Sequence, residues 1–121
     1  MAGQTILLVD DSPTDLRLMS NALAPQGYRL LTASDGEEAL EKALSHHPSL
    51  IFLDVILPKK NGFQVCRQLK TSPETRDIKI VLVTSKIEDS DRFWGLRQGA
   101  DEYLTKPFEP EQLQAAAARN L

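Results

Sequence analysis

The feature that most constrains this 121-residue chain is an apolar run that ends in a carboxylate. Residues 50–53 read Leu-Ile-Phe-Leu, Asp54 follows directly, and Pro58 closes the stretch after three further apolar residues. A run of this composition predicts a strand that is buried on both faces. An ionised carboxylate is costly in such a place unless nearby groups compensate its charge. The rest of the sequence must therefore supply partners for Asp54.

Apolar runs alternate along the chain with segments whose apolar residues recur at helical spacing. Ser12 and Pro13 are typical of the start of a helix, and Gly27 is typical of its end. Five repetitions of strand and helix predict an α/β fold, a doubly wound five-stranded parallel sheet with helices on both faces. The length is that of one domain, which we expect to span residues 1–121. The predicted strands cover residues 5–9, 28–33, 50–54, 78–84 and 103–105; the predicted helices cover residues 13–26, 62–71, 89–98 and 110–120, with one more from a Ser34–Glu37 capping box to about residue 46.

Composition excludes several classes of protein. The net charge of −3 and the absence of a basic patch argue against direct binding of nucleic acid. The single cysteine, Cys66, excludes an internal disulfide and is typical of a reducing, cytoplasmic setting. The N-terminal apolar run meets two aspartates at once, unlike a signal peptide, and the longest apolar run is too short to cross a membrane. We therefore expect a cytoplasmic protein without membrane insertion.

Side chains that can do chemistry follow the predicted strands at the points where these end. Asp10 and Asp11 follow the first strand, Asp54 the third, Thr84 ends the fourth, and Lys106 follows the fifth. In open parallel sheets, sites form outside the carboxyl ends of the strands, where the strand order reverses. With the order 2-1-3-4-5, the first and third strands are neighbours. The three carboxylates then converge beside a hydroxyl and an amine.

Electrostatics restricts what this cluster can be. Three carboxylates within a few Å repel one another, and one is pushed to protonate unless a cation joins them. Mg²⁺ prefers a few carboxylates together with waters and phosphate oxygens, so it is the natural partner. Lys106 can pair with an acid or a phosphate, and Thr84 can donate to a phosphoryl oxygen. Between two cations, Asp54 can act as a nucleophile toward phosphorus and form an aspartyl phosphate.

In combination these motifs resemble those of bacterial response-regulator receiver domains, which have the CheY-like fold. The resemblance covers residues 5–120. It rests on the pair Asp10-Asp11, Asp54 in Leu-Asp-Val-Ile-Leu-Pro, Thr84-Ser85, and Lys106-Pro107-Phe108, with support from Gly62 and from Gly99-Ala100-Asp101 before Tyr103.

The resemblance implies a phosphoacceptor in a two-component signal transduction system, not an enzyme with a separate substrate. It implies Mg²⁺ (or Mn²⁺) as cofactor, a histidine kinase as phosphodonor, and a downstream protein target that the sequence does not identify. Residues 83–86 and 91–108 are most similar to single-domain regulators of the twitching-motility and phototaxis type. The resemblance implies that Asp54 is the phosphoacceptor and a metal ligand, that Asp11 and the Ile56 carbonyl bind the metal directly, and that Asp10 acts largely through metal-bound water. It implies that Thr84 is the switch hydroxyl and that Lys106, before a cis proline bond, is the amine that pairs with the phosphate. It also implies that Tyr103 is the aromatic that turns inward on activation and that Ile87, Leu96 and Tyr103 belong to the signalling surface.

Other interpretations remain open for parts of this pattern. Asp10 and Asp11 can be a capping cluster, and Tyr103 a half-buried strand aromatic. The whole chain can also be a degenerate receiver that acts only as a protein-interaction module. A flavodoxin-like cofactor binder needs a Ser/Thr/Gly-rich loop after the first strand, and an aspartyl phosphatase needs a second acid where Ile56 stands. Both of these alternatives are disfavoured.

Three further expectations concern individual side chains. Of the pair Phe93 and Trp94, one is expected in the core and the other on the surface. Cys66 is expected to be a small buried hydrophobic residue. Ile56 and Lys86 occupy positions near the phosphate that tune phosphoryl lifetime in this family. Neither side chain offers a carboxamide or carboxylate to orient an attacking water, which predicts slow to moderate self-hydrolysis.

Overall fold

The strand before Asp54 is the centre of the sheet in this computed structural model, which describes residues 4–85 and 89–121 and the side chains of residues 4–85 and 93–121. The five strands are β1 (Thr5–Val9), β2 (Arg29–Ala33), β3 (Leu50–Leu53), β4 (Lys79–Thr84) and β5 (Glu102–Thr105). All pairs are parallel, and the order is β2-β1-β3-β4-β5. Every residue of β3 is buried. The predicted order is confirmed, and the predicted strand bounds are correct to within one residue.

Helices cover both faces of the sheet, as the strand–helix alternation predicts. They are α1 (Pro13–Leu23), α2 (Gly36–His46), α3 (Gly62–Thr71), α4 (Asp89–Arg97) and α5 (Pro110–Asn120). Successive residues of β1 point to opposite faces: Ile6 and Leu8 pack with α1 and α5, whereas Leu7 and Val9 pack with α2 and α3. Because helices cover both faces of the sheet at β1, β3 and β4, the sequences of these strands are unbroken apolar runs.

Two predicted helix ends are wrong, each for a local reason. The first helix ends at Leu23 and continues as a 3₁₀ turn, Ala24–Gln26, because Pro25 has no N–H to continue the α-helical pattern. The N-cap of α2 is Asp35, whose carboxylate accepts from the N–H of Glu38. The Ser34–Glu37 box is therefore displaced by one position, and the N–H of Ser34 donates to the Glu38 carboxylate instead.

The expectation for the aromatic pair on α4 is also wrong, since Phe93 and Trp94 are 61% and 52% exposed. Gly95, the residue after Trp94, takes the inward position, close to Leu82 and Tyr103. A glycine there lets the helix approach the sheet closely and turns both aromatics outward. Cys66 is fully buried, as expected.

Within residues 4–85 and 89–121, no helix combines the length and the apolar character that crossing a bilayer requires.

Candidate functional site

Asp54 lies one residue beyond β3, at the carboxyl edge of the sheet. Its N–H donates to the carbonyl of Val9 at 3.0 Å, so the ladder between β1 and β3 fixes its backbone. Its side chain is only 7% exposed. One carboxylate oxygen accepts from the N–H of Ile56 at 3.2 Å, and the other accepts from the Lys106 amine at 3.1 Å. The buried charge therefore has the cationic partner that the sequence required.

The loop after Asp54 doubles back onto the start of α3. The N–H of Gly62 donates to the carbonyl of Val55 at 2.8 Å. A methyl group on Gly62 would lie 2.2 Å from the backbone oxygen of Asp54 and 2.7 Å from the Cα of Val55. The two backbone segments can pass this closely only because residue 62 has no side chain. This contact sets the position of both Asp54 and the Ile56 carbonyl that follows it.

Asp10 and Asp11 are presented by the turn between β1 and α1. The N–H of Asp10 extends the β1–β2 ladder to the carbonyl of Ala33 at 3.1 Å, and its carboxylate accepts from the N–H of Ser12 at 2.9 Å. Asp10 is buried and Asp11 is exposed. Ser12 caps α1, as predicted, so capping and site geometry are built from the same turn.

The three acids predicted to converge do so. One carboxylate oxygen from each of Asp10, Asp11 and Asp54 lies within 4.8 Å of the other two. A group of three such oxygens, one of them on the solvent side, fits the preference of Mg²⁺ for a few carboxylates with retained waters. The donor chemistry of these residues is therefore compatible with the predicted metal.

Lys106 closes the site from β5. Its backbone N–H donates to the carbonyl of Thr84 at 2.9 Å, which ties the loop after β5 to the end of β4. Its amine donates to three carboxylates, those of Asp10 at 2.6 Å, Asp15 at 2.8 Å and Asp54 at 3.1 Å. The Lys106–Pro107 peptide bond is cis, as the resemblance implied.

Asp15 is the residue of this site that sequence reasoning missed. It is the acidic residue in the first turn of α1, where its N–H also donates to the Ser12 hydroxyl. The available signal was its position: the first turn of α1 opens onto the same sheet edge as Asp10 and Asp11. It lines a cavity of about 330 Å³ with Leu18, Ser85, Lys106, Pro107 and Phe108.

Burial and charge shift two pKa values at this site. Burial raises the pKa of Asp10, and the Asp54 charge adds to that effect, while hydrogen bonds from Lys106 and Ser12 oppose it. Burial alone would lower the pKa of Lys106. The hydrogen bonds to Asp10 and Asp15, with the charges of Asp54 and Asp10, outweigh it and raise the pKa well above its usual value. Lys106 therefore stays charged at every physiological pH.

Of the remaining predicted residues, the structure describes Thr84, Tyr103, Ile56 and Leu96. Thr84 is fully buried at the end of β4, and Tyr103 is 4% exposed, so the aromatic is inward and not half-buried. Ile56 and Leu96 are exposed, at 53% and 45%. Ile87 and the neighbouring Lys86 lie outside the described residues.

Known proteins are similar to this chain both in sequence and in fold. The model of the family "Response regulator receiver domain" matches residues 6–118. The alkaline phosphatase synthesis transcriptional regulatory protein PhoP of Bacillus subtilis is 46% identical over 113 residues, which are 93% of this chain and 46% of PhoP. Protein PilH of Pseudomonas aeruginosa is 41% identical over 108 residues, 89% of each protein. The chain thus spans about half the length of PhoP and nearly all of PilH.

Solved structures agree with this assignment. The receiver domain of the sensor histidine kinase PA1611 of Pseudomonas aeruginosa, described with a magnesium ion coordinated in the active site cleft, has a TM-score of 0.90 to this chain. It is 32% identical and covers 98% of both chains. A family model that spans nearly the whole chain, relatives above 40% identity, and the acidic site at the expected sheet edge agree with one another. The chain belongs to the response regulator receiver domain family.

Proposed function

We propose that Asp54 is the phosphoacceptor of this receiver domain and that residues 1–121 work as one signalling unit. Receiver domains take phosphoryl groups from histidine kinases, so a phosphohistidine of such a kinase is the natural donor. The observation that carries the proposal is the Lys106 amine at 3.1 Å from the Asp54 carboxylate, beside two further acids at the sheet edge. The family match over residues 6–118 supports it.

In the proposed reaction, a carboxylate oxygen of Asp54 forms a bond to phosphorus while the bond between phosphorus and the donor imidazole breaks. The imidazole leaves with the bonding pair and takes up a proton. Lys106 then donates to a phosphoryl oxygen and offsets the charge of the transferred group. The buried Thr84 at the end of β4 supplies a hydroxyl to a second phosphoryl oxygen.

The proposed cofactor is Mg²⁺, or Mn²⁺, held by Asp10, Asp11, Asp54 and the backbone carbonyl of Ile56. When bound, the ion would neutralise negative charge on the phosphoryl group while phosphorus passes from the donor nitrogen to the Asp54 oxygen. The compatible oxygen cluster of the three acids supports this assignment. The magnesium ion described in the PA1611 receiver domain supports it as well.

The proposed output is a change of the surface formed by α4, β5 and α5. Phosphorylation draws Thr84 toward the phosphoryl group and further stabilises the inward position that Tyr103 already has in this structure, which shifts the population of a surface containing Ile87 and Leu96. Tyr103 packs beside Gly95 of α4, so its side chain links β5 to the helix that would move. The partner is a protein whose identity depends on the organism's signalling pathway.

The test is incubation with acetyl phosphate and Mg²⁺, with intact mass as the readout. We expect a gain of one phosphoryl group that is lost in Asp54→Asn and on addition of EDTA. Asp77→Asn is the matched control, since Asp77 is an exposed aspartate in the connection before β4, at the opposite sheet edge. Wild-type protein that gains no phosphoryl group under these conditions would contradict the proposal and favour the degenerate, interaction-only receiver.

A further inference from the structure

The Lys106 amine is shared by more carboxylates than the proposed phosphoryl chemistry uses. An ammonium group has three N–H donors. Here all three are used, by Asp10, Asp15 and Asp54, at 2.6, 2.8 and 3.1 Å. Asp10 and Asp54 also belong to the acid group that fits a metal, whereas Asp15 does not. Asp15 therefore has a contact with the amine and no part in the proposed metal site.

A phosphoryl group bonded to Asp54 takes over the N–H that the Asp54 carboxylate held, and it can gain a second N–H of the amine only if Asp10 or Asp15 gives one up. The side chain of Asp10 is 1% exposed, and releasing the amine would leave this buried carboxylate without its cation. The side chain of Asp15 is 30% exposed, so water can replace the amine there at much lower cost. Asp15 is the acceptor that can yield.

The position of Asp15 also gives its charge a second effect. It lines the cavity of about 330 Å³ that opens beside Lys106, and no carboxylate other than its own is among the residues that line this cavity in the described part of the chain. A phosphodonor approaching through that side meets the Asp15 carboxylate next to the amine that would attract it. The negative charge of Asp15 therefore opposes that of the donor.

From these contacts we propose that Asp15 is a positioning residue that holds the Lys106 amine beside Asp54, yields it to the phosphoryl group, and selects against strongly anionic phosphodonors. This proposal rests on the proposed role of Asp54 as phosphoacceptor. The reaction itself is unchanged. With acetyl phosphate, an oxygen of Asp54 bonds to phosphorus and the phosphorus–oxygen bond to acetate breaks, so that acetate leaves with the bonding pair.

The proposal predicts a rate effect that depends on donor charge. In Asp15→Asn the amide oxygen still accepts from Lys106, so the amine keeps its position while the negative charge is lost. Repulsion between the Asp15 charge and one unit charge of a donor about 6 Å away, in a water-like medium, slows the reaction about threefold, and each further charge on the donor slows it by about the same factor. Asp15→Asn should therefore accelerate phosphorylation about tenfold with dianionic acetyl phosphate but only about threefold with monoanionic phosphoramidate.

The experiment measures both rate constants at saturating Mg²⁺ and low ionic strength for wild type, Asp15→Asn and Asp15→Glu. The ratio of the rate constant with acetyl phosphate to that with phosphoramidate should rise about threefold in Asp15→Asn and return to the wild-type value in Asp15→Glu. The rise in Asp15→Asn should disappear as salt is added. Glu74→Gln is the control of equal charge change, at an exposed position in the connection that precedes β4, away from the site. Its ratio should equal that of wild type.

The outcomes separate the two proposals. A purely structural role of Asp15 would change both rates by the same factor and leave the ratio unaltered, which would overturn the inference. Equal ratios in Asp15→Asn and Glu74→Gln would overturn it too, because only bulk charge would then matter. Wild-type protein that accepts phosphate from neither donor would refute the role of Asp54 itself.

Discussion

Replacing Gly62 by alanine should damage stability and phosphorylation together, because this residue joins the loop after Asp54 to α3. The added methyl group would lie 2.2 Å from the Asp54 oxygen and 2.7 Å from the Cα of Val55, about 1 Å inside ordinary contact. Both contacted atoms are backbone atoms, so no side-chain rotation can relieve the overlap. The loop or the first turn of α3 must move instead.

The size of the effect follows from two opposing contributions. Overpacking of this kind costs about 1–3 kcal/mol. Replacing a glycine without positive φ by alanine stabilises by about 0.5–1 kcal/mol. Because the methyl group would meet backbone atoms at 2.2 Å, the upper part of the overpacking range applies, about 2–3 kcal/mol, and the net loss of unfolding free energy is about 1–2 kcal/mol. For a chain of 121 residues, each kcal/mol corresponds to about 4 °C, so we expect Tm to fall by about 4–8 °C. Displacing the Asp54 carboxylate by even 1 Å should slow phosphorylation by about tenfold to a hundredfold.

Gly95→Ala on α4 is the matched control. Its methyl group would meet the side-chain ends of Leu82, Tyr103 and Phe63 at 2.7–3.2 Å, and these atoms can shift by small rotations. Thermal melts followed by circular dichroism and phosphorylation rates with acetyl phosphate, measured on both variants, make the comparison. If Gly62→Ala melts and reacts like wild type, the close backbone contact does not position Asp54 and the reasoning is refuted.

Three other predictions follow from the site and from α4. Burial raises the pKa of Asp10 above its ordinary value of 3.8, so the protonated carboxyl group favours the folded state and its ionisation opposes folding. The stability that the protonated group contributes is lost as pH rises through the raised pKa. Asp10→Asn should therefore raise Tm at pH 7 in EDTA, and this advantage should disappear with Mg²⁺; an Asp10→Asn protein that melts below wild type in EDTA would contradict the argument. Ile56→Asn offers a carboxamide near the phosphoryl group and should shorten its lifetime about tenfold, measured by mass spectrometry against Ile56→Val, which should behave as wild type. The only tryptophan, Trp94, is 52% exposed, so its emission should be red-shifted and readily quenched by acrylamide, whereas a shielded fluorophore would show that α4 is rotated.

The sheet was predictable because its signals are local. β1, β3 and β4 are short apolar runs bounded by polar residues or proline, and their acids and hydroxyl stand at the ends of the runs. Parallel pairing brings those ends to one edge, so Asp10, Asp11 and Asp54 converge without any knowledge of side-chain rotamers. The polar cluster follows from topology alone.

The features that sequence reasoning missed depend on how helices rotate and approach the sheet. The contact between Asp15 and Lys106 spans 91 positions, and it exists only because the first turn of α1 faces the end of β5. The sequence predicts a core position for one of Phe93 and Trp94 because aromatic side chains usually bury a large apolar area. Hydrophobicity does not reveal that Gly95 takes the inward position instead.

The charge of the chain is concentrated at this one place. Among the residues that the structure describes, four carboxylates, those of Asp10, Asp11, Asp15 and Asp54, lie around the amine of Lys106, which is an excess of three negative charges. The formal net charge of the whole chain is also −3, so acids and bases elsewhere balance. The acidic net charge of the chain therefore reflects this pocket and not the general surface. The argument against nucleic-acid binding rests instead on the lack of a basic patch in the sequence. A divalent cation in the pocket would leave one negative charge there, and charge near an anionic donor decides how readily the donor approaches. The demand for a cation and the discrimination among phosphodonors thus have one origin, the excess of carboxylates over amines around Asp54.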